Sequence, residues 1–252
     1  EQGAQIIDIN MGCPAKKVCN VLSGSALLQN EKLVGDILTA VVAAAGVPVT
    51  LKTRLGFCEN NKNIRTIAKM AEQAGIAALA VHGRTREQMY KGDASYELIA
   101  QVRQDISIPL WVNGDIASAE KAAAVLRQTG ADGVMVGRGA QGRPWLFAEI
   151  KHFLQHGTPP SPIAFQTAAD AFLQHLRAMY AFYGDTAGAR IARKHIGWYT
   201  APFADGAALR KQANALDSAD AQYDAVAAFL AAAPERQSGL WPSETAASAN
   251  KI

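Results

Sequence analysis

Five short apolar runs set the frame: Ile6-Ile7-Asp8-Ile9, Val47-Pro48-Val49-Thr50-Leu51, Ala78-Leu79-Ala80-Val81, Ile108-Pro109-Leu110-Trp111-Val112 and Gly133-Val134-Met135-Val136. Helix-like segments such as 63–74 and 117–129 stand between them. Strands apolar along their whole length are buried on both faces, and their alternation with helices indicates parallel βαβ units. A doubly wound sheet and a barrel both satisfy that pattern. The polar residues distinguish the two, because each run is followed at once by Asn10-Met11-Gly12-Cys13, Lys52-Thr53-Arg54, His82-Gly83-Arg84-Thr85, Asn113-Gly114-Asp115 or Gly137-Arg138-Gly139. Five successive strand ends aimed at one site describe the C-terminal mouth of a TIM (β/α)8 barrel.

The strand pattern stops near Pro144 and gives way to alanine-rich amphipathic helix. Read as strands 4 to 8, the five runs make residues 1–158 the C-terminal five βα units of an α/β barrel, with the missing strands expected before Glu1. The Pro- and Gly-dense linker His156-Gly157-Thr158-Pro159-Pro160-Ser161-Pro162 breaks helix, so 159–236 is expected to be a small all-α domain and 237–252 a disordered tail. A net charge of +3 is too mild to identify a partner unless it is clustered. Cys13, Cys19 and Cys58 contain no CxxC pair, which suits a reducing compartment. No metal-ligand spacing, signal peptide or membrane-length apolar run is present, so a cytoplasmic protein is expected, without a membrane and with no protein partner evident.

The last two strand ends carry Asn113, Gly114 and Asp115, then Gly137 and Arg138. Loops after the seventh and eighth strands of such barrels often hold a phosphate through glycine-exposed backbone and a short helix. Lys52 ends the fifth strand and should project into the mouth, either as a Schiff-base amine or as a cation facing an anion. His82 ends the sixth and faces the same mouth. Cys13 sits on an active-face loop flanked by Gly12 and Pro14, where a thiol has the exposure its chemistry needs; Cys19 and Cys58 read as ordinary apolar cysteines.

These residues resemble a known family. Asp8-Ile9-Asn10-Met11-Gly12-Cys13-Pro14, Lys16-Lys17-Val18, Gly24-Ser25-Ala26-Leu27-Leu28, Leu51-Lys52-Thr53-Arg54-Leu55-Gly56, Val81-His82-Gly83-Arg84-Thr85-Arg86, Val112-Asn113-Gly114-Asp115-Ile116 and 136–145 are similar, in order and spacing, to tRNA-dihydrouridine synthases. Segments 142–147 and 190–199 resemble the bacterial B type. The resemblance implies FMN bound through Lys52, His82, Asn113, Gly114, Asp115, Gly137 and Arg138. It implies NADPH as reductant, Cys13 as proton donor to uracil C5, and tRNA as substrate, reduced at a D-loop uridine, in general position 17. Asn10 and Arg84 would meet the tRNA.

Arg190, Arg193 and Lys194 stand at i, i+3 and i+4, so one helix face carries three cations. Such a patch suits RNA phosphates. Three rival functions remain on sequence grounds: a small-molecule flavin oxidoreductase resembling dihydroorotate dehydrogenases, a Schiff-base aldolase using Lys52, and a non-catalytic RNA-binding remnant.

Overall fold

The structure is a computed structural model that describes residues 3–15 and 22–242. Lys16, Lys17, Val18 and Cys19, and residues 243–252 of the expected tail, lie outside the described residues. The chain divides into two compact units, Glu1–Gly139 with Phe153–Gly157 and Ala140–His152 with Thr158–Ile252.

The first unit contains all five expected strands: β1 Ile7–Asn10, β2 Val49–Arg54, β3 Ala78–His82, β4 Leu110–Asn113 and β5 Gly133–Met135. They form one parallel sheet in the order β1-β2-β3-β4-β5. A doubly wound sheet reverses strand order at a switch point. Here chain order and spatial order coincide, which is the arrangement of consecutive barrel staves. Four helices alternate with the strands: α1 Glu31–Ala44, α2 Ile64–Gln73, α3 Glu97–Asp105 and α4 Ala119–Thr129. Local chemistry sets their ends. Asn30 and Ser118 cap α1 and α4 by accepting the backbone N–H of Leu33 and Lys121, and α4 stops at Gly130 with φ +65°.

The period of two along each strand sorts its residues. Ile9, Leu51, Leu79, Val81, Leu110, Val112 and Val134 join the apolar layer that also holds Val34, Leu38, Ile64, Ile67, Ile99 and Val102 of the helices. The alternate positions, Asn10, Lys52, Arg54, His82, Trp111 and Asn113, therefore share the opposite face. Parallel register aligns them in two rows: Asn10, Lys52, Ala80, Trp111 and Gly133, and one step toward the strand ends, Arg54, His82, Asn113 and Met135. Gly133 makes room in the first row, since a Cβ there would stand 2.5 Å from the Trp111 indole.

The second unit is helical: α5 Leu146–His156 as far as His152, α6 Phe165–Tyr183, α7 Asp185–Thr200, α8 Gly206–Ala215, α9 Ala219–Ala232 and α10 Glu235–Ser238. Its core joins Phe165, Phe172, Leu176, Ile196, Tyr199, Phe203, Leu209, Val226 and Leu230. Phe172 and Tyr199 stack with ring centroids 4.2 Å apart. Two boundaries differ from the sequence reading. Residues 140–152 group with the helices and not with the strands. The expected tail begins too early, because Trp241 is buried and packs on Phe203 and Phe165 at 4.8 and 5.5 Å, while Leu240 bridges to Ala164. Burial of one indole outweighs the polar composition around it.

Gln222 is fully buried in this core. Its amide donates to the carbonyls of Ala189 and Ala213, at 3.2 and 3.0 Å, and its oxygen accepts from the Tyr180 hydroxyl at 2.9 Å. One side chain thus ties α6, α7, α8 and α9. Gln222→Leu removes all three bonds and strands the Tyr180 hydroxyl, and is expected to cost about 3 kcal/mol; a loss under about 0.5 kcal/mol in urea unfolding would show that the amide is dispensable.

Candidate functional site at the strand ends

Arg54 organises the mouth of the first unit. It lies two residues beyond Lys52 on the same face of β2 and is 2% exposed. Its Nε donates to the Gly12 carbonyl at 2.7 Å, and its Nη1 donates to the carbonyls of Thr85 and Met89 at 3.0 and 2.9 Å. The loop after β1 and the loop after β3 are thereby held by one planar guanidinium. Cys13, the residue next to Gly12, is half-buried, and its own carbonyl accepts from the Ser25 hydroxyl and amide at 2.7 and 3.1 Å. Asn10 closes the turn by accepting the Gly12 N–H at 2.9 Å. Gly12 itself has room for a Cβ, with 3.6 Å to Thr53 backbone, so carbonyl and amide bonds fix this loop, and glycine is not sterically required there.

His82 is buried beside Arg54, Lys52 and Arg84. Burial first, then those three cations, push its pKa down to about 3, against the opposing charge of Asp115. Arg84 Nη1 lies 3.3 Å from His82 Nε2. A guanidinium only donates, so Nε2 accepts and the neutral ring carries its proton on Nδ1. Lys52 is also held below the usual lysine value, by burial and then Arg54, with Asp8 opposing.

Arg84 does not reach outward as the resemblance implies. It is 2% exposed, and its guanidinium donates to the carbonyls of Lys91 and Gly92, at 3.3 and 2.5 Å, and to Asp115 at 2.5 Å. Its charge is matched by Asp115 at the next strand end, so it shapes the site from within. Asp115, at φ +49°, also accepts the Ala94 N–H at 2.8 Å and pairs with Arg138 at 3.2 Å. Burial raises the Asp115 pKa, but the bonds from Arg84 and Ala94 and the charges of Arg84 and Arg138 outweigh it and hold the carboxyl below its ordinary range. A carboxylate with both oxygens engaged this way positions arginines and makes a poor direct contact for an anionic group.

The phosphate-type elements do come together. Asn113 anchors to β5 by donating to the Met135 carbonyl at 2.7 Å. Gly114 has φ +122°, and a Cβ there would approach Ala94 Cβ to 2.8 Å and the His82 ring to 3.1 Å, so only glycine fits. Gly137 differs. A Cβ on it would meet nothing within 4 Å, so nothing in the protein requires glycine and its backbone opens onto space beside Arg138. Residues Arg138–Ala140 form a single 3-10 turn, too short to act as an anion-binding helix end. Arg138 and exposed backbone are what remain for that task.

In the helical unit, Arg190 and Lys194 are exposed on α7. Arg193 departs from the three-cation face: it pairs with Asp217 at 2.9 Å and donates to the Leu216 carbonyl at 3.3 Å. Among the described residues no group of three or more His, Cys, Asp or Glu could hold a metal ion, and no helix is long and apolar enough to cross a membrane.

A family model described as dihydrouridine synthase (Dus) matches residues 1–234. The chain belongs to the dihydrouridine synthase family. The tRNA-dihydrouridine synthase B of Pseudomonas putida is 55% identical over 240 residues, covering 95% of this chain and 70% of that protein. Its counterpart in Pseudomonas syringae is 56% identical over 91% of this chain and 68% of that protein, and the one in Vibrio cholerae 54% over 91% and 71%. A dihydrouridine synthase is an oxidoreductase, since its product is the 5,6-reduced form of uridine; the aldolase reading of Lys52 is set aside.

Sequence reasoning on this dihydrouridine synthase missed Arg54 and Tyr90. Strand alternation from Lys52 marks Arg54 as facing the mouth. Tyr90, a half-exposed aromatic 6.3 Å from the His82 ring, carries no sequence signal beyond standing in a polar loop. For His82, a folded-state pKa below that of a free imidazole means its contribution to stability is present above about pH 6.5 and is lost as pH falls toward 3. Ring-nitrogen NMR is expected to show no His82 titration between about pH 5 and 8, and a midpoint near 6.5 would contradict the burial and Arg84 contact.

Proposed function

We propose that this protein is an FMN-dependent tRNA-dihydrouridine synthase of the B type that reduces the C5–C6 bond of a D-loop uridine, at position 17, with NADPH as reductant, in the cytoplasm. The observation that carries the reading is the Arg54 fork, which fixes the Cys13 loop to the strand end bearing Lys52. It places a thiol-bearing loop and a half-buried cation on one side of one mouth.

The residues fit a flavin mononucleotide. Its phosphate would meet Arg138 and the backbone of Gly114 and Gly137, where the open side of Gly137 leaves space. Lys52 and His82 would hold the ring, with Asn113 buttressing the same row. Bound there, the flavin would supply a hydride to C6 of the uracil. The Cys13 thiol gives its proton to C5, completing addition of two hydrogens across the bond. Lys52 supplies a cation near the ring, and neutral His82 offers a hydrogen bond without adding charge. Asn10, exposed at the end of β1, is positioned to meet the incoming nucleotide. A base inside folded RNA has to be turned outward to enter such a mouth. Arg190 and Lys194 would bind tRNA backbone.

Cys13→Ala is expected to retain FMN and its reduction by NADPH, while anaerobic stopped-flow reoxidation by tRNA slows by roughly 10²- to 10⁴-fold, the usual weight of a positioned general acid. Normal reoxidation would remove the thiol from the mechanism, and loss of flavin would make Cys13 structural.

The Arg193–Asp217 pair sharpens the RNA expectation. Reversing the charge of Arg190 and Lys194 together should reduce the log–log salt slope of tRNA binding by about two, roughly one for each phosphate contact. Arg193→Ala should leave the slope nearly unchanged. Equal effects from all three would mean that Arg193 leaves Asp217 to meet the RNA.

A further inference from the structure

The loop 84–92 is held more firmly than its exposure suggests. The carbonyls on either side of Tyr90 are fixed by two buried guanidiniums: Met89 O accepts from Arg54 and Lys91 O accepts from Arg84. Gly92 O accepts a second bond from Arg84, and Met89 adopts φ +52°, a conformation that a side chain as long as methionine seldom takes. Yet the ring held by this framework is 54% exposed. Two buried arginines therefore fix the position of a side chain that contributes little to the core.

The partner of that ring is Arg138. Its guanidinium carbon lies 4.9 Å from the Tyr90 centroid, closer than that of Arg54 at 5.7 Å. Arg138 is anchored at Nη2 by Asp115 at 3.2 Å. A flexible arginine in water samples many rotamers, and ordering it on a ligand costs conformational entropy. An ion pair at one edge together with an aromatic surface restricts it before any ligand arrives.

We infer that Tyr90 is a positioning residue for phosphate recognition: with Asp115 it holds Arg138 ready for a flavin's terminal phosphate, and so makes the site select a flavin monophosphate over the same flavin without phosphate. This rests on the placement of the phosphate at Arg138 and Gly137 under the proposed function. The ring acts through its π face on Arg138, so its hydroxyl is not required.

Equilibrium dissociation constants of FMN and riboflavin, read from flavin fluorescence with the whole protein, test it. Tyr90→Leu is expected to weaken FMN by roughly three- to tenfold, the range of a partly exposed cation–π contact, and to leave riboflavin unchanged. Tyr90→Phe should bind FMN as the parent does. Arg138→Gln should weaken FMN by more than tenfold, with riboflavin again unaffected. The double variant should lose no more than Arg138→Gln alone, because the two side chains act as one unit. If Arg138→Gln leaves FMN affinity intact, the phosphate placement itself fails. If that variant behaves as expected but Tyr90→Leu binds FMN normally, weakens both flavins equally, or adds its loss in full to that of Arg138→Gln, the role assigned to Tyr90 is overturned.

Discussion

The buried guanidinium of Arg54 is the constraint on which the site depends. Loops at barrel mouths are joined to separate strands, and nothing in strand pairing fixes one loop against the next. Arg54 does so by donating to a carbonyl after β1 and to two carbonyls after β3. Arginine suits the task because its planar fork offers donors in fixed directions, whereas a lysine would present one rotating point charge. The same positive charge has a second effect. It lies among the causes that keep Lys52 low and His82 neutral, so mechanical order and electrostatic tuning come from one side chain.

Asp115 performs the complementary role on the other side of the mouth. Three basic side chains, Arg54, Arg84 and Arg138, meet the 84–92 loop, and without a carboxylate they would repel one another. Asp115 pairs with two of them and also accepts the Ala94 amide, which joins the β4 loop to the segment after 92. Positive charge is thus kept in place but only partly neutralised, a state suited to receiving an anion. Arg84 becomes internal scaffolding, and Arg138 is the one of the pair with its edge toward space.

Much of this was legible in the sequence because its signals are local. Apolar runs, their β-branched content and the polar residue after each one marked all five strands and, through strand direction, the common face of Lys52, His82 and Asn113. The ordered motifs gave the family. What sequence could not give was the destination of long cations. Arg84 and Arg193 sit in strings that read as ligand contacts, yet each finds an internal partner many positions away, Asp115 for one and Asp217 for the other. Trp241 was misread for a related reason: the stretch 237–252 is rich in small and polar residues, and only the space left beside Phe165 and Phe203 decides that its indole folds inward. Pairings across long sequence separation leave no periodicity to detect.

The sheet has a further property that follows from its strand order alone. Because β1 to β5 neighbour one another in space as they do along the chain, each pairing closes a connection that holds, among the described residues, a single α-helix. The entropy of closing such loops grows slowly with length. Each βα unit emerging during synthesis finds its partner already made, so this half of the molecule is built to assemble in the direction in which it is translated, one stave upon the last.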